Sequence, residues 1–133
     1  MTNILLITHG NLASALVQTS ELIVGSSSNI YTHSLDLGDD PEEFASKVEK
    51  SIEELSNEGN LIIFTDLFGG TPSNTVMSKL FRLNFPENIA SFTGVNLPLL
   101  LETIPMCENE SGFNDLVNHL DSILALTIRN IRS

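Results

Sequence analysis

Apolar residues along this chain alternate between short continuous runs and longer stretches at helical spacing. The run Ile4-Leu5-Leu6-Ile7 is continuously apolar and partly β-branched, which is typical of a strand buried on both faces. After it, apolar residues recur every three or four positions from Leu12 to Ile23 and stop at Gly25, which predicts a helix. The first part of the chain is therefore expected to be a strand followed by a helix.

The same alternation predicts three more strands and four more helices. Asp40-Pro41 is the clearest helix start, because it joins a capping residue to a proline at the first helical position. The other strands are expected at 30–37, 61–64 and 89–93, and the other helices after Asp40, from Thr71-Pro72, at 97–104 and at 113–124. This order predicts an α/β fold: a mainly parallel four-stranded sheet with helices on both faces. Because the chain has no repeat or linker-like stretch, residues 1–133 are expected to form one domain.

Composition and charge narrow the functional classes. Apolar residues make up 41% of the 133 residues and charged residues 17%, as in a globular protein. The formal net charge of −11 disfavours binding to nucleic acid or anionic membranes and suits a basic protein partner. The single cysteine, Cys107, excludes an intramolecular disulfide. The N-terminus makes a poor signal peptide and no apolar stretch has the length of a membrane helix, so we expect a cytoplasmic protein.

Two polar side chains follow predicted strands at the edge where ligands bind. In open α/β sheets this edge lies beyond the carboxyl ends of the strands. The loops expected at this edge are the segments that follow the four predicted strands: residues 8–11, 36–40, 65–71 and 94–97. His9 and Asp66 each lie two positions past the apolar core of their strand. If the two strands are neighbours, about 4.8 Å apart, these side chains come within hydrogen-bonding reach.

A His9–Asp66 pair has a clear chemical use. A carboxylate that accepts the proton of one ring nitrogen fixes the imidazole tautomer and leaves the other nitrogen as a free nucleophile. It also stabilises the positive charge that develops on the ring when a phosphoryl group bonds to it. Transfer of that group between two histidines requires no metal, and no cofactor is predicted.

Three glycines and a threonine are candidate phosphoryl-binding residues. Gly10 removes a side chain from the approach path and precedes a helix whose unpaired N–H groups can receive phosphate oxygens. Gly69 and Gly70 let backbone donors come close at the start of another helix, and the Thr71 hydroxyl adds a hydrogen bond. The less specific alternatives are a structural histidine, a carboxylate that caps an N–H group and glycines that only form a turn. Packing or solvent exposure is the expected role of His33, His119 and Cys107.

Three segments carry a resemblance to a known family: Thr8-His9-Gly10, Asp66-Leu67-Phe68-Gly69-Gly70-Thr71-Pro72-Ser73-Asn74 and Gly94-Val95-Asn96-Leu97-Pro98. They occur in order and at matching spacing over essentially the whole chain, and the nine-residue segment is the most specific. The chain resembles the mannose-family enzyme IIA of the bacterial phosphoenolpyruvate-dependent sugar phosphotransferase system.

The resemblance implies a phosphotransferase with a phosphohistidine intermediate. His9 is then phosphorylated by the histidine-containing phosphocarrier protein HPr and passes the group to an enzyme IIB component for sugar uptake. Asp66 is implied as the partner of that histidine, and Thr71 as a neighbour of the phosphoryl group. Membrane IIC and IID components are involved indirectly. A separate IIB polypeptide is expected, since some relatives continue into a fused IIB domain and this chain does not.

The resemblance also implies a homodimer in which a C-terminal strand crosses to the partner's sheet as a fifth, antiparallel strand. Residues 127–132 are the candidate for this strand. The alternative is that they extend the last helix.

Other functions fit the sequence less well. A related phosphocarrier that feeds dihydroxyacetone kinase shares the fold and the histidine, but the Gly-Gly-Thr-Pro and Asn-Leu-Pro segments resemble the sugar-transport branch. A non-catalytic binding module does not require both His9 and Asp66. A nucleotide-binding enzyme is disfavoured, because residues 65–74 lack the Lys-Ser/Thr of a P-loop and no G-x-G-x-x-G follows the first strand.

Overall fold

The structure, a computed structural model, describes residues 1–108 and 112–132. Its strands are β1 (Thr2–His9), β2 (Ile30–Leu35), β3 (Asn60–Thr65) and β4 (Ile89–Phe92). Its helices are α1 (Leu12–Val24), α2 (Pro41–Glu58), α3 (Thr71–Arg82), α4 (Leu97–Cys107) and α5 (Phe113–Ile123), with a 3-10 turn at Leu124–Leu126. The predicted alternation of strands and helices is confirmed.

All three strand pairings in the sheet are parallel, and the strand order is β2-β1-β3-β4. The chain leaves the centre at β1, adds β2 on one side and then crosses to add β3 on the other. The order therefore reverses between β1 and β3, where an open sheet leaves a crevice at the carboxyl ends of its strands. His9 ends β1 and Asp66 follows β3, so the topology brings both predicted residues to this crevice.

Helices cover both faces of the sheet, which explains the unbroken apolar run in β1. Ile4 and Leu6 pack in one core with α1, α4 and α5, whereas Leu5 and Ile7 pack in a second core with α2 and α3. All four side chains are fully buried. Neighbouring residues of a strand point to opposite faces, so a strand between two helical layers needs apolar residues at every position.

One predicted helix boundary is wrong. Helix α4 continues through Pro105 to Cys107 instead of ending before the proline. Burial of Ile104 and Cys107 on either side of Pro105 offsets the roughly 3 kcal/mol that an interior proline costs. Helix α3 begins at Thr71 as predicted, and Gly70 occupies its N-cap position.

Residues 127–132 form no strand in this chain, and the 3-10 turn continues directly from α5. The Thr127 hydroxyl donates to the Leu124 carbonyl at 2.8 Å and accepts from Asn96 Nδ2 at 3.0 Å. This contact ties the C-terminal segment to the loop after β4. The exchanged fifth strand needs a second subunit and stays a prediction. No helix in the described residues combines the length and hydropathy that a membrane crossing needs.

Candidate functional site

His9 and Asp66 are joined by two hydrogen bonds to one carboxylate oxygen. Asp66 Oδ2 lies 2.9 Å from the His9 backbone nitrogen and 2.9 Å from His9 Nδ1. The predicted contact between the two side chains is therefore present. The backbone bond fixes the position of the carboxylate relative to the main chain of His9, and the ring bond then orients the imidazole.

The register of the sheet explains how two residues 57 positions apart come together. Ile7 lies opposite Thr65 in the pairing of β1 with β3, so His9 extends two residues beyond the last pair and Asp66 one. The other side of β1 is still paired at this height, where His9 lies opposite Leu35. His9 is thus held by β2 on one side and meets the first residue after β3 on the other.

The pair also determines which ring nitrogen keeps a free lone pair. A carboxylate only accepts hydrogen bonds, so Nδ1 carries the proton that is donated to Asp66 and Nε2 is left with its lone pair. The His9 side chain is 45% exposed and that of Asp66 13%, so the ring is accessible while its partner is nearly covered. An accessible neutral imidazole with one free nitrogen can attack an electrophile brought by another molecule.

The second carboxylate oxygen of Asp66 is buried, and no hydrogen bond to it is found in the described residues. A buried anionic oxygen without a donor is costly. A positive charge on the adjacent His9 ring offsets this cost through Coulomb attraction. The carboxylate is therefore placed where it can interact with positive charge that develops on the ring when Nε2 bonds to an electrophile.

A four-residue turn after β3 brings Gly70 beside the His9 ring. The Gly70 N–H donates to the Leu67 carbonyl at 3.0 Å, and Gly69 adopts a φ of +81°, as the third position of a type II turn requires. Leu67 and Phe68 project from this turn into solvent. The turn thus exposes two apolar side chains and returns the chain to the histidine.

Gly10 is needed for its backbone conformation rather than for space. Its φ is +56°, and a side chain there would meet nothing within 4 Å. Its N–H donates to the Leu35 carbonyl at 2.9 Å, and the N–H of Ala13 in the first turn of α1 donates to Thr8 Oγ1 at 2.8 Å. Neither of these two donors is available to a phosphate oxygen, whereas the Leu12 N–H, in the same first turn of α1, has no partner within the helix.

Thr71 and Ser73 supply the remaining donors at the start of α3. Their N–H groups have no partner within the helix, because they belong to its first turn, and Pro72 between them has no N–H. The Thr71 side chain is exposed, and the described residues include no hydrogen-bond partner for its hydroxyl. Its backbone carbonyl accepts from Thr75 Oγ1 at 2.8 Å. These groups are free to bind an anion at the helix N-terminus.

The other candidate residues lie away from this crevice. His33 contacts Ser51 of α2, His119 contacts Glu102 of α4, and Cys107 is buried at the end of α4. Burial is the main cause that lowers the pKa of His33, and it raises the pKa of Cys107 to about 12. His33 is thus half-buried and Cys107 is buried, as packing roles require, and His119 lies exposed between two helices, 2.8 Å from Glu102 Oε1.

Two features of the site were not predicted. Thr8 caps α1 with its side chain, although Asn11 precedes the helix and is the usual type of capping residue. Apolar side chains also surround the crevice in the loops and helix starts at the same edge. We call them the apolar rim, and they are Leu12, Leu37, Leu67 and Phe68, of which Leu37 and Phe68 are the most exposed. The position of these four apolar residues in or beside the predicted edge loops was the signal available in the sequence.

The fold and site define a class of protein: a doubly covered parallel α/β domain with a histidine–carboxylate pair at its topological switch point. A family model described as "PTS system fructose IIA component" matches residues 3–120. The chain belongs to this family, the fructose and mannose IIA components of the sugar phosphotransferase system. Membership supports a role in sugar phosphotransfer.

Relatives and solved structures agree with this assignment. The chain is 27% identical over 123 residues to the "PTS system fructose-specific EIIA component" of Bacillus subtilis, covering 92% of this chain and 82% of the relative. It is 28% identical to the "PTS system mannose-specific EIIAB component" of Escherichia coli, but spans only 33% of that protein's length. The crystal structure of a PTS IIA protein associated with the fucose utilization operon of Streptococcus pneumoniae superimposes with a TM-score of 0.82 at 28% identity, covering 98% of this chain and 93% of that one.

Proposed function

We propose that this chain is a phosphocarrier in which His9 accepts a phosphoryl group from phosphorylated HPr and passes it to an enzyme IIB component. The single observation that carries the proposal is the Asp66 carboxylate, 2.9 Å from His9 Nδ1, which leaves Nε2 as an accessible nucleophile. Family membership supplies the reaction class, and the geometry supports the role of each residue.

The proposed transfer moves one phosphoryl group and no other atoms. The lone pair of His9 Nε2 attacks the phosphorus of the phosphohistidine on HPr, and a new P–N bond forms as the old one breaks. The electron pair of the broken bond returns to the ring nitrogen of HPr. The Nδ1 proton of His9 stays in its hydrogen bond to Asp66, whose charge stabilises the ring while it carries the phosphoryl group. The same steps run in reverse toward a nucleophile on IIB.

We propose that the phosphoryl oxygens are held at the start of α3, by the N–H groups of Thr71 and Ser73 and by the Thr71 hydroxyl. The positive end of the helix dipole supports an anion there. Gly69 and Gly70 shape the turn that lets the group approach, and Gly10 sets the path of the chain after His9 through its positive φ.

The apolar rim supports a protein rather than a small molecule as the donor and acceptor. Leu37 and Phe68 expose apolar surface in loops at the same edge of the sheet as His9, and such surface around a reactive group is typical of a protein-binding site. The net charge of −11 favours partners with basic residues around an apolar centre. Both partners must reach the same histidine, so they are expected to bind in turn.

Intact mass after incubation with phosphoenolpyruvate, enzyme I and HPr tests the proposal. The wild type is expected to gain one acid-labile phosphoryl group, and His9→Ala none. Asp66→Asn is expected to take up the group about 100-fold more slowly, because an amide in place of the carboxylate no longer holds the Nδ1–H tautomer. His119→Ala is the matched control, since it removes another exposed histidine that pairs with a carboxylate.

A wild type that gains no mass while HPr is phosphorylated contradicts the proposal. A gain of mass on both the wild type and His9→Ala assigns the phosphoryl group to another residue. Phe68→Ala tests the partner surface separately: it is expected to slow transfer from HPr without changing the thermal midpoint, whereas Leu22→Ala, on an exposed apolar residue of α1, changes neither.

We also propose that the chain forms a homodimer by adding residues 127–132 to β4 of a second copy. β4 is an edge strand of the sheet, and a groove of about 330 Å³ beside it is lined by the apolar residues Val76, Met77 and Phe85 among others. Ile128 and Ile131 are exposed and would be covered by this exchange. Light scattering should give a dimer for the wild type and a monomer for Ile128→Asp/Ile131→Asp, whereas Leu22→Asp stays a dimer. A monomeric wild type at all concentrations contradicts the proposal.

A further inference from the structure

We propose that Gly70 is a positioning residue for His9, whose bare α-carbon sets the imidazole in the orientation that Asp66 requires. The orientation of the His9 ring can be tested without any phosphoryl donor, and only the expected effect on phosphoryl transfer rests on the function proposed above. It gives Gly70 a role that differs from binding the phosphoryl group.

The contact between Gly70 and the ring leaves no room for a methyl group. A Cβ built on Gly70 lies 2.9 Å from His9 Cε1, 3.6 Å from His9 Nε2 and 3.3 Å from the Leu67 carbonyl oxygen. A distance of 2.9 Å is below any normal contact between carbon atoms. The ring, the turn or both must therefore move to admit any other residue at position 70.

Backbone conformation does not explain the glycine at position 70. Its φ of −74° and ψ of 168° lie in the extended region that any residue adopts. Gly69 is the opposite case: its φ is +81°, and a Cβ there would meet nothing within 4 Å. The two adjacent glycines are therefore required for different reasons. Gly69 allows the backbone conformation of the turn, and Gly70 leaves the space that the His9 ring occupies.

The orientation of the ring therefore depends on both residues. Asp66 Oδ2 binds Nδ1 at 2.9 Å, and Cε1, the atom between the two nitrogens, occupies the space that a side chain at position 70 would fill. Rotation of the ring that relieves a clash at Cε1 also displaces Nδ1 from the carboxylate. Loss of the bond to Asp66 removes the preference for the Nδ1–H tautomer, so Nε2 no longer stays free of a proton.

The first test compares Gly70→Ala with Gly69→Ala by nitrogen NMR of the His9 ring, before any phosphoryl donor is added. The wild type and Gly69→Ala are expected to show one protonated nitrogen, Nδ1, and one unprotonated nitrogen, Nε2. Gly70→Ala is expected to shift both signals toward the average of the two tautomers. Its uptake of the phosphoryl group from HPr is then expected to fall about tenfold to 100-fold. Gly69→Ala is expected to lower the thermal midpoint through strain at positive φ without changing the ring signals.

Unchanged ring signals in Gly70→Ala overturn the proposal, and slower transfer in that variant then means that Gly70 provides space for the phosphoryl group. A wild type that accepts no phosphoryl group defeats the proposed function but leaves the ring signals readable. If Gly70→Ala does not fold, the double variant His9→Ala/Gly70→Ala is compared with His9→Ala, because the imidazole ring is absent from both. Recovery of folding there supports the proposal, and an equal loss in both backgrounds overturns it.

Discussion

Thr8 Oγ1 accepts a hydrogen bond from the Ala13 backbone N–H at 2.8 Å, and both residues are fully buried. Thr8 lies in β1 directly before His9, and Ala13 lies in the first turn of α1. The bond therefore fixes the direction in which the chain leaves the histidine. It also satisfies one of the N–H groups that a helix start leaves without a partner.

We expect Thr8→Val to lower the free energy of unfolding by about 1–3 kcal/mol, because it leaves the buried Ala13 N–H without an acceptor. Valine keeps the shape and β-branching of threonine, so the effect isolates the hydroxyl. Urea unfolding followed by circular dichroism measures the change. Thr8→Ser retains the hydroxyl and is expected to lose less than Thr8→Val. Equal losses in the two variants mean that packing of the methyl group, rather than the hydrogen bond, is responsible.

The half-buried ring of His33 makes stability depend on pH. His33 Nε2 lies 2.6 Å from Ser51 Oγ on α2, and burial first, then the charge of Lys47, lowers the pKa of this histidine below its usual 6.5. Between the lowered pKa and 6.5 the unfolded chain binds more protons than the folded chain, so stability rises with pH in that window. The contribution is fully present above pH 6.5 and is lost as the pH falls through the lowered pKa.

Urea unfolding at several pH values, with His33→Gln in parallel, measures this effect. The glutamine can keep a hydrogen bond to Ser51 but does not titrate. The variant is expected to lose less stability than the wild type as the pH falls below 6.5. Identical pH profiles for the two proteins refute the assignment to His33.

Lys79 is nearly buried on α3 and pairs with Glu53 of α2, which is half-exposed. The hydrogen bond from Lys79 is the main cause that lowers the pKa of Glu53. We expect Glu53→Gln to lower the thermal midpoint more than Lys79→Met, because the first leaves a buried ammonium without its counter-charge and the second leaves a carboxylate that water can solvate. Differential scanning calorimetry measures both midpoints.

Glu54→Gln is the matched control for this pair. Glu54 lies 3.9 Å from Lys50, and both side chains are mostly exposed, so its removal is expected to have little effect on the midpoint. If Lys79→Met proves the more harmful of the two substitutions at the pair, the α2–α3 interface depends on the ammonium itself rather than on its neutralisation.

Cys107 is expected to resist alkylation in the folded protein. Burial first, then the charge of Glu108, raises the pKa of this thiol to about 12, so almost none of it is thiolate at neutral pH, and the thiolate is the reactive form. Iodoacetamide labelling followed by mass spectrometry should show slow modification of the native chain and rapid modification in guanidinium. Rapid labelling of the native chain means that α4 opens locally around Cys107.

The sequence was sufficient to predict the parallel sheet and, on the condition that β1 and β3 are neighbours, the meeting of His9 with Asp66. Both rest on local patterns: continuous apolar runs identify strands buried on both faces, and the residues after such strands lie at one edge of the sheet. The helix that starts at Pro41 was also predictable, because its proline and first-turn acids are local signals.

Features that depend on contacts between residues far apart in the sequence could not be predicted from the hydrophobic pattern. Gly69 and Gly70 look alike in the sequence, yet one is required by its φ and the other by the ring of His9, which lies on a different strand. The bond from the Gly10 N–H to Leu35 of a neighbouring strand likewise depends on the pairing of strands and is not written in the local pattern. The passage of α4 through Pro105 depends on what Ile104 and Cys107 meet in the core.

The separation of 57 residues between His9 and its carboxylate has a consequence for the newly made chain. During synthesis His9 emerges among the first residues, whereas Asp66 and Gly70 follow only after half of the protein has been made. Until β3 has paired with β1, His9 lacks both the Asp66 carboxylate that accepts its ring proton and the contact with Gly70 that limits the orientation of its ring. A nascent chain, or a fragment that ends before β3, therefore contains His9 without the contacts that orient its ring. Only a chain whose central strands have paired has the geometry that the proposed phosphoryl transfer requires.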